Sequence, residues 1–258
     1  MLFKTSDEVE INYELIGKGK TVVLVNGFGA YQEIWSAQVP FLKNLGYQVL
    51  TYDHRNMGRS QRTEKGHNIN RLIQDLHELI SFLKIKQAIF IGHSMGASII
   101  FGLMNRWPEI TKQALIVDQS PKMLNDNNWK YGFMDYTNKN YLKKCQERPH
   151  VHETYNGLDD NVYAELMKAK KAYPFDRQDN VDLLENHMSI DWRRVLETTS
   201  IPTKFFVAKE SPYYCEGYEK WLEQKNDKIS SFIMSPSGHV IMAEIPQQFN
   251  EKLKDTLK

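Results

Sequence analysis

The stretch Gln87-Ala88-Ile89-Phe90-Ile91-Gly92-His93-Ser94-Met95-Gly96-Ala97-Ser98-Ile99-Ile100 carries an apolar run into a glycine-flanked serine and out again into a helix-like pattern. Its centre has the form G-x-S-x-G. That pattern has chemical meaning where a strand turns sharply into a helix, because the turn leaves the serine exposed at the carboxyl end of a sheet. A Cβ at Gly92 or Gly96 would collide with neighbouring backbone in so tight a turn, whereas Ser94 tolerates an unfavourable φ/ψ when its surroundings hold it there. Both flanks have the required character, so Ser94 is the candidate nucleophile. A glycine-flanked turn with a capping serine is the plainer alternative.

Outward from this turn, strand and helix patterns alternate. Upstream, Leu2 to Thr5 and Val9 to Ile16 read as short strands, and Thr21-Val22-Val23-Leu24-Val25 as a strand buried on both faces. It runs into Asn26-Gly27-Phe28-Gly29, a loop whose glycines let backbone amides point outward toward an anion. Two nucleotide-binding look-alikes fail on spacing. Gly19-Lys20-Thr21 would need its first glycine at Glu14 and precedes its strand, so Gly17 to Lys20 reads as a hairpin turn; Gly27-x-Gly29 meets Gln32 where a third glycine belongs. Tyr31 to Leu45 and Asn68 to Lys84 have helical periodicity. Between them the strand Tyr47 to Tyr52 delivers the polar loop Asp53 to Ser60, for which a solvated turn with an internal Asp-Arg pair is at least as good a reading as a catalytic role for Asp53 or His54.

Downstream, Gln113 to Val117 is another buried strand, ending in Asp118, and beyond it the rhythm breaks. Residues 122–190 offer no clear strand, short helical segments and a crowd of aromatics that includes Trp129, Tyr131 and Tyr136, which together read as a lid lining a substrate pocket. The sheet resumes at Pro202 to Ala208, and a helix near Cys215 to Lys225 and a strand from Lys228 to Met234 follow. His239 then stands on a glycine-preceded loop ahead of a final helix containing Met242, Ala243, Ile245 and Phe249. The alternation calls for a mostly parallel sheet with helices on both faces.

At 258 residues the chain can bury one large core, and its formal net charge of +1 gives no electrostatic case for nucleic acid or an anionic membrane. Two cysteines make no disulfide framework, the amino-terminal residues hold no apolar core of signal length, and no apolar run is long enough to span a bilayer, so a cytoplasmic location is expected. His150-x-His152 has no Cys, Asp or Glu in ligand register and reads as a surface loop, so no metal is expected.

Four motifs, in order, resemble the α/β-hydrolase fold along nearly the whole chain. Asn26-Gly27-Phe28-Gly29 is similar to its oxyanion loop, Asp53-x-Arg55-x-x-Gly58-x-Ser60 to its D-x-R-x-x-G-x-S loop, Gly92 to Gly96 to its nucleophile turn, and Gly238-His239-x-x-x-x-Glu244-x-Pro246-x-x-Phe249 to its histidine motif. Asn26 departs from the usual His, and Lys209-Glu210-Ser211 from the usual G-x-x-D. The resemblance is greatest to small soluble esterases and cofactor-free haloperoxidase-like hydrolases. It implies an eight-stranded, mostly parallel sheet with a helical cap after the sixth strand: a core of residues 1–121 and 191–258 and a cap of 122–190.

The resemblance also implies a mechanism without metal or cofactor. His239 takes the proton of Ser94, the amides of Phe28 and Met95 hold the oxyanion, and water hydrolyses an acyl-enzyme. The acid that orients His239 is Asp118 or Glu210. Asp118 ends a fully apolar strand, at a position some cap-bearing members use; Glu210 sits where most members carry the acid, beside Lys209 in a loop that looks vacated. The expected substrate is a small, largely apolar carboxylic ester. A thioesterase, a C–C bond hydrolase or lyase, a peracid-forming enzyme and a small-molecule-binding protein on the same fold are the alternatives, and the expected partner is a small-molecule substrate, with neither nucleic acid nor membrane.

Overall fold

The apolar runs become strands of one sheet in the computed structural model, which describes residues 1–257. The strands are β1 (Leu2–Lys4), β2 (Glu10–Ile16), β3 (Thr21–Val25), β4 (Gln48–Tyr52), β5 (Ala88–His93), β6 (Thr111–Val117), β7 (Thr203–Ala208) and β8 (Ile229–Met234). They form an eight-stranded sheet ordered β1-β2-β4-β3-β5-β6-β7-β8. β2 pairs antiparallel with β1 and with β4, and every later pair is parallel.

Successive side chains of a strand point to opposite faces, and here both faces are apolar. Val23, Val25, Phe90 and Ile116 join one core; Val22, Leu24, Ile91 and Leu115 join the other. Helices α1 (Gln38–Asn44), α2 (Ile69–Phe82), α3 (Met95–Arg106), α4 (Tyr141–Cys145), α5 (Asp160–Ala172), α6 (Val181–Ser189), α7 (Arg193–Thr198), α8 (Tyr218–Lys225), α9 (Ile241–Glu244) and α10 (Pro246–Thr256) cover them. Leu72, Leu76 and Leu79 of α2 and Ile99 and Leu103 of α3 complete the first core, and Leu42 of α1 with Phe249 and Leu253 of α10 the second. Helices α4 to α6 lie between β6 and β7, and the two ends of that excursion run side by side, with Trp192 N donating to Pro121 O at 2.8 Å. Among the described residues no helix is long and apolar enough to cross a membrane.

Three local expectations are overturned. Gly17 to Lys20 is no hairpin, because β4 lies between β2 and β3. The connection instead hugs β4's leading loop: Gly19 has φ +110°, and a Cβ there would sit 2.3 Å from Gly46 O. Tyr31 to Leu45 is not one helix but a 3₁₀ turn, Gln32–Trp35, followed by α1, whose Pro40 falls in the first turn, where a missing N–H costs nothing. The carboxyl-terminal helix breaks at Ile245, and Pro246 opens α10.

The loop after β4 is not a solvated turn with an internal pair. Asp53 is buried and accepts from the amides of Gln32 (2.9 Å) and Arg59 (3.0 Å), while the buried Arg55 pairs with Asp75 (2.7 Å) and Asp7 (2.8 Å). Arg71 also pairs with Asp75, at 2.8 Å, so loss of Arg55 leaves that carboxylate one of its two cations. Arg55→Met should therefore cost about 2–3 kcal/mol of unfolding free energy, short of the ~3–5 kcal/mol of a fully stranded charge, read as a lower urea midpoint. A change under ~1 kcal/mol would mean that Arg71 alone compensates Asp75.

Candidate active site

The turn between β5 and α3 is held by close backbone contact. Ser94 has φ 53° and ψ −126°, outside the usual regions for a residue with a side chain. A Cβ on Gly96 would sit 2.3 Å from Val25 O and one on Gly92 2.8 Å from Ala97 N, so the helix approaches β3 as closely as it does only because both are glycine. From Ala88 to Ile100 every residue but Ser94 is buried.

Parallel register brings the next strand's end to the same place. His93 pairs with Val117, Ser94 N donates to Val117 O at 3.1 Å, and Asp118 N to Phe206 O at 2.8 Å. Asp118, itself at φ 45°, is fully buried and its Oδ2 lies 2.7 Å from His239 Nδ1. Glu210 points elsewhere: it accepts from Ser235 Oγ and Ser237 N, each at 2.8 Å. The loop without an aspartate still serves the site, because Ser211 Oγ donates to Asp118 Oδ2 (2.7 Å) and Ala208 N to Oδ1 (3.0 Å).

His239 is fixed from behind. Its N–H donates to Glu153 O (2.7 Å), and its own carbonyl accepts from His93 Nε2 (3.0 Å). Glu244 accepts from Gly238 N at 2.8 Å and from Asn156 N, tying the histidine loop to the segment before α5. Of these braces, Glu244 holds a fixed position of a sequence motif, and His93 a position that its motif leaves open. Ser211, Glu153 and His93 act through contacts between residues far apart in the chain and carry no signal of their own.

Met95 follows Ser94 directly, and Gly27, next to Phe28, comes so close that a Cβ on it would sit 3.2 Å from Ser94 Cβ. Met95 is the first residue of α3, so its N–H has no acceptor within the helix, and the Phe28 N–H donates to no acceptor among the described residues. Asn26, which stands where a histidine was expected, is a brace: its Oδ1 accepts from Trp35 Nε1 (2.8 Å) and its Nδ2 donates to Tyr52 O (2.9 Å).

Ser94 and His239 both line a cavity of about 540 Å³, whose apolar walls include Phe28, Phe133, Tyr136, Phe175 and Met188. Of the three aromatics expected there, only Tyr136 lines it. Trp129 and Tyr131 pack edge-to-face on each other, and Trp129 also meets Trp221 of α8, with its Nε1 bonded to Lys122 O at 3.0 Å. They seal the base of the excursion onto the sheet's helical layer, a contact that helical or strand periodicity does not encode. His150 and His152 are exposed on a surface loop, as expected, and His152 stands at the cavity's rim.

A family profile described as serine aminopeptidase, S33, matches residues 18–190, more than half of the chain. The chain belongs to that family. The S33 serine aminopeptidase profile ends within the helical excursion, so His239 lies outside the matched residues. A putative non-heme chloroperoxidase of Synechocystis sp. is 31% identical over 167 residues, covering 64% of this chain and 52% of that protein. The chain thus spans about half the length of that curated relative, and about a third of a Rhodococcus erythropolis non-heme haloperoxidase (33%). An esterase from Exiguobacterium antarcticum superposes with a TM-score of 0.86 at 19% identity over 99% of this chain and 98% of that one. A Bacillus anthracis bromoperoxidase also gives 0.86, at 22% over 100% and 99%. At these identities the likeness is one of fold, and the fold is that of the α/β-hydrolases.

Burial keeps several rings neutral. It pulls His54 and His187 down to about 4 and His93 well below its ordinary value. Unfolded histidines take up protons near pH 6.5, so below that pH the unfolded state holds more protons, and the histidines' contribution falls until about pH 4. Asp53, pushed up to about 6 by burial, works the other way: its contribution grows as pH drops through 6. Three histidines against two raised carboxylates, Asp53 and the buried Asp75, leave a net loss, ~2 kcal/mol per histidine by pH 5. The thermal midpoint should drop between pH 7 and pH 5, and less so in His187→Gln; an equal drop in both would remove His187 from this account.

Proposed function

We propose that this chain is a serine hydrolase that cleaves a carboxylic ester of a small substrate with a largely apolar body, through an acyl-enzyme. The observation that carries this is the 2.7 Å contact of Asp118 with His239 Nδ1 in a wall that also presents Ser94 to the cavity. The Nδ1–H donated to Asp118 leaves Nε2 free to take the Ser94 Oγ proton as Oγ attacks the ester carbonyl. The amides of Phe28 and Met95 donate to the developing oxyanion. Collapse expels the alcohol, protonated by His239, and water activated by the same ring releases the acid.

Residues 122–190 act as a cap in this reading, since their adjacent ends suit an inserted unit and Phe133, Tyr136 and Phe175 supply apolar cavity wall. Such walls favour apolar acyl or aryl groups by removing them from water. Membership of a serine aminopeptidase family accords with acyl chemistry at a serine.

A fluorophosphonate probe should label Ser94, and Ser94→Ala should lose both labelling and ester hydrolysis while keeping its thermal midpoint. Unchanged turnover in that variant would sink the proposal. On a single p-nitrophenyl ester, Asp118→Asn should cost on the order of 10³–10⁴ in kcat through the wrong imidazole tautomer. Glu210→Gln should change the rate only slightly, and the reverse pattern would move the acid to Glu210.

A further inference from the structure

One wall of the cavity is charged. Arg177, just ahead of α6, lines it, with its guanidinium 5.6 Å over the ring of Phe28. Four other arginines, Arg55, Arg59, Arg71 and Arg193, each sit in an ion pair with a carboxylate; Arg177 forms none among the described residues. Its Nη2 donates to the carbonyls of Cys145 (3.0 Å) and Glu147 (3.1 Å), and its Nε is buried with no acceptor at all. Burial pulls its pKa below the usual guanidinium value, whereas those four are raised by their acids.

A half-buried cation without a counter-charge is costly, and the carbonyl bonds hold this one in a fixed place and orientation. Among the described residues the only carboxylate on the cavity wall is Glu153, which accepts from Tyr213 Oη at 2.8 Å. Arg148 and Lys170, exposed and without ion pairs among the described residues, line the same cavity, so an anion entering it meets net positive charge.

We propose that Arg177 binds a carboxylate carried by the substrate, separate from the ester that is cleaved, so that the preferred substrates are esters with an apolar middle and one anionic end. This rests on the hydrolase reading for its turnover but not for its binding. Both carbonyl bonds fall on Nη2, and Nη1, which bonds no protein atom among the described residues, supplies the charge-assisted donors that a carboxylate takes. Phe28, whose amide faces the ester oxygen in the proposed mechanism, carries its ring under the guanidinium, so both ends of one small molecule lie within the reach of this residue.

The test compares p-nitrophenyl pentanoate with mono-p-nitrophenyl glutarate, which places a carboxylate on the acyl part, and with 4-carboxyphenyl pentanoate, which places it on the leaving group. The enzyme should favour one of the two charged esters over the neutral one at least tenfold in kcat/KM, chiefly through KM. Arg177→Met, which keeps a chain over Phe28, should lower kcat/KM for that ester at least tenfold more than for the neutral one, and Arg177→Lys should restore part of the difference. Preference for the neutral ester over both charged ones, or an equal loss on all three in Arg177→Met, overturns the proposal. If no ester is turned over, the hydrolase reading fails separately. Calorimetric titration with glutarate then decides this site: binding to the native protein that Arg177→Met weakens supports it, and no binding, or equal binding to both, overturns it.

Discussion

The close approach of α3 to the end of β3 sets everything else at this site. With a Cβ forbidden at Gly96 by the Val25 carbonyl, the helix can start directly beneath the sheet edge. Ser94 is thereby forced into a conformation it would not choose, with its side chain out of the core. The strain is of the order of 1–3 kcal/mol and is borne by the surrounding apolar packing, since every neighbour from Ala88 to Ile100 is buried. The rigidity of this turn fixes two further things at once: the Met95 N–H at the head of a helix, and the register that sets Asp118 beside it.

The strands and the elbow were legible because they are local. A run such as Thr21 to Val25 or Ala114 to Val117 announces a buried parallel strand by composition alone, and a glycine-bounded serine between strand and helix is a pattern within five residues. Asp118 and His239 were legible as strand-end residues, and parallel register then brings Asp118 beside the elbow. What escaped was set by non-local contact. Whether Gly17 to Lys20 is a hairpin depends on β4 inserting between β2 and β3, which nothing in that tetrapeptide shows. Whether Trp129 lines a pocket depends on Trp221, more than ninety residues on. Ser211 looked like part of an empty loop because its partner, Asp118, lies in another strand's loop.

The loop after β7 shows how a missing side chain can be replaced without moving the fold. In the arrangement that the motifs resemble an aspartate would stand there; here that loop instead gives donors, Ser211 Oγ and Ala208 N, to Asp118, the residue after β6 whose Oδ2 meets His239. A buried carboxylate needs its lone pairs filled. With both oxygens engaged by fixed donors, Asp118 offers His239 a single direction of approach.

The histidine loop depends on the excursion as much as on the sheet. Glu153 O takes the N–H of His239, and Glu244 clasps Gly238 N and Asn156 N together. Glycine is required at Gly238 for the same reason, since a Cβ there would meet Glu153 O at 2.5 Å. The segment that walls the cavity and the loop that carries His239 are thus one hydrogen-bonded unit. A displacement of residues 153–156 would pull on the imidazole directly, so packing in the excursion and alignment at Ser94 are coupled through two backbone amides and a carboxylate, with no need for a longer path through the core.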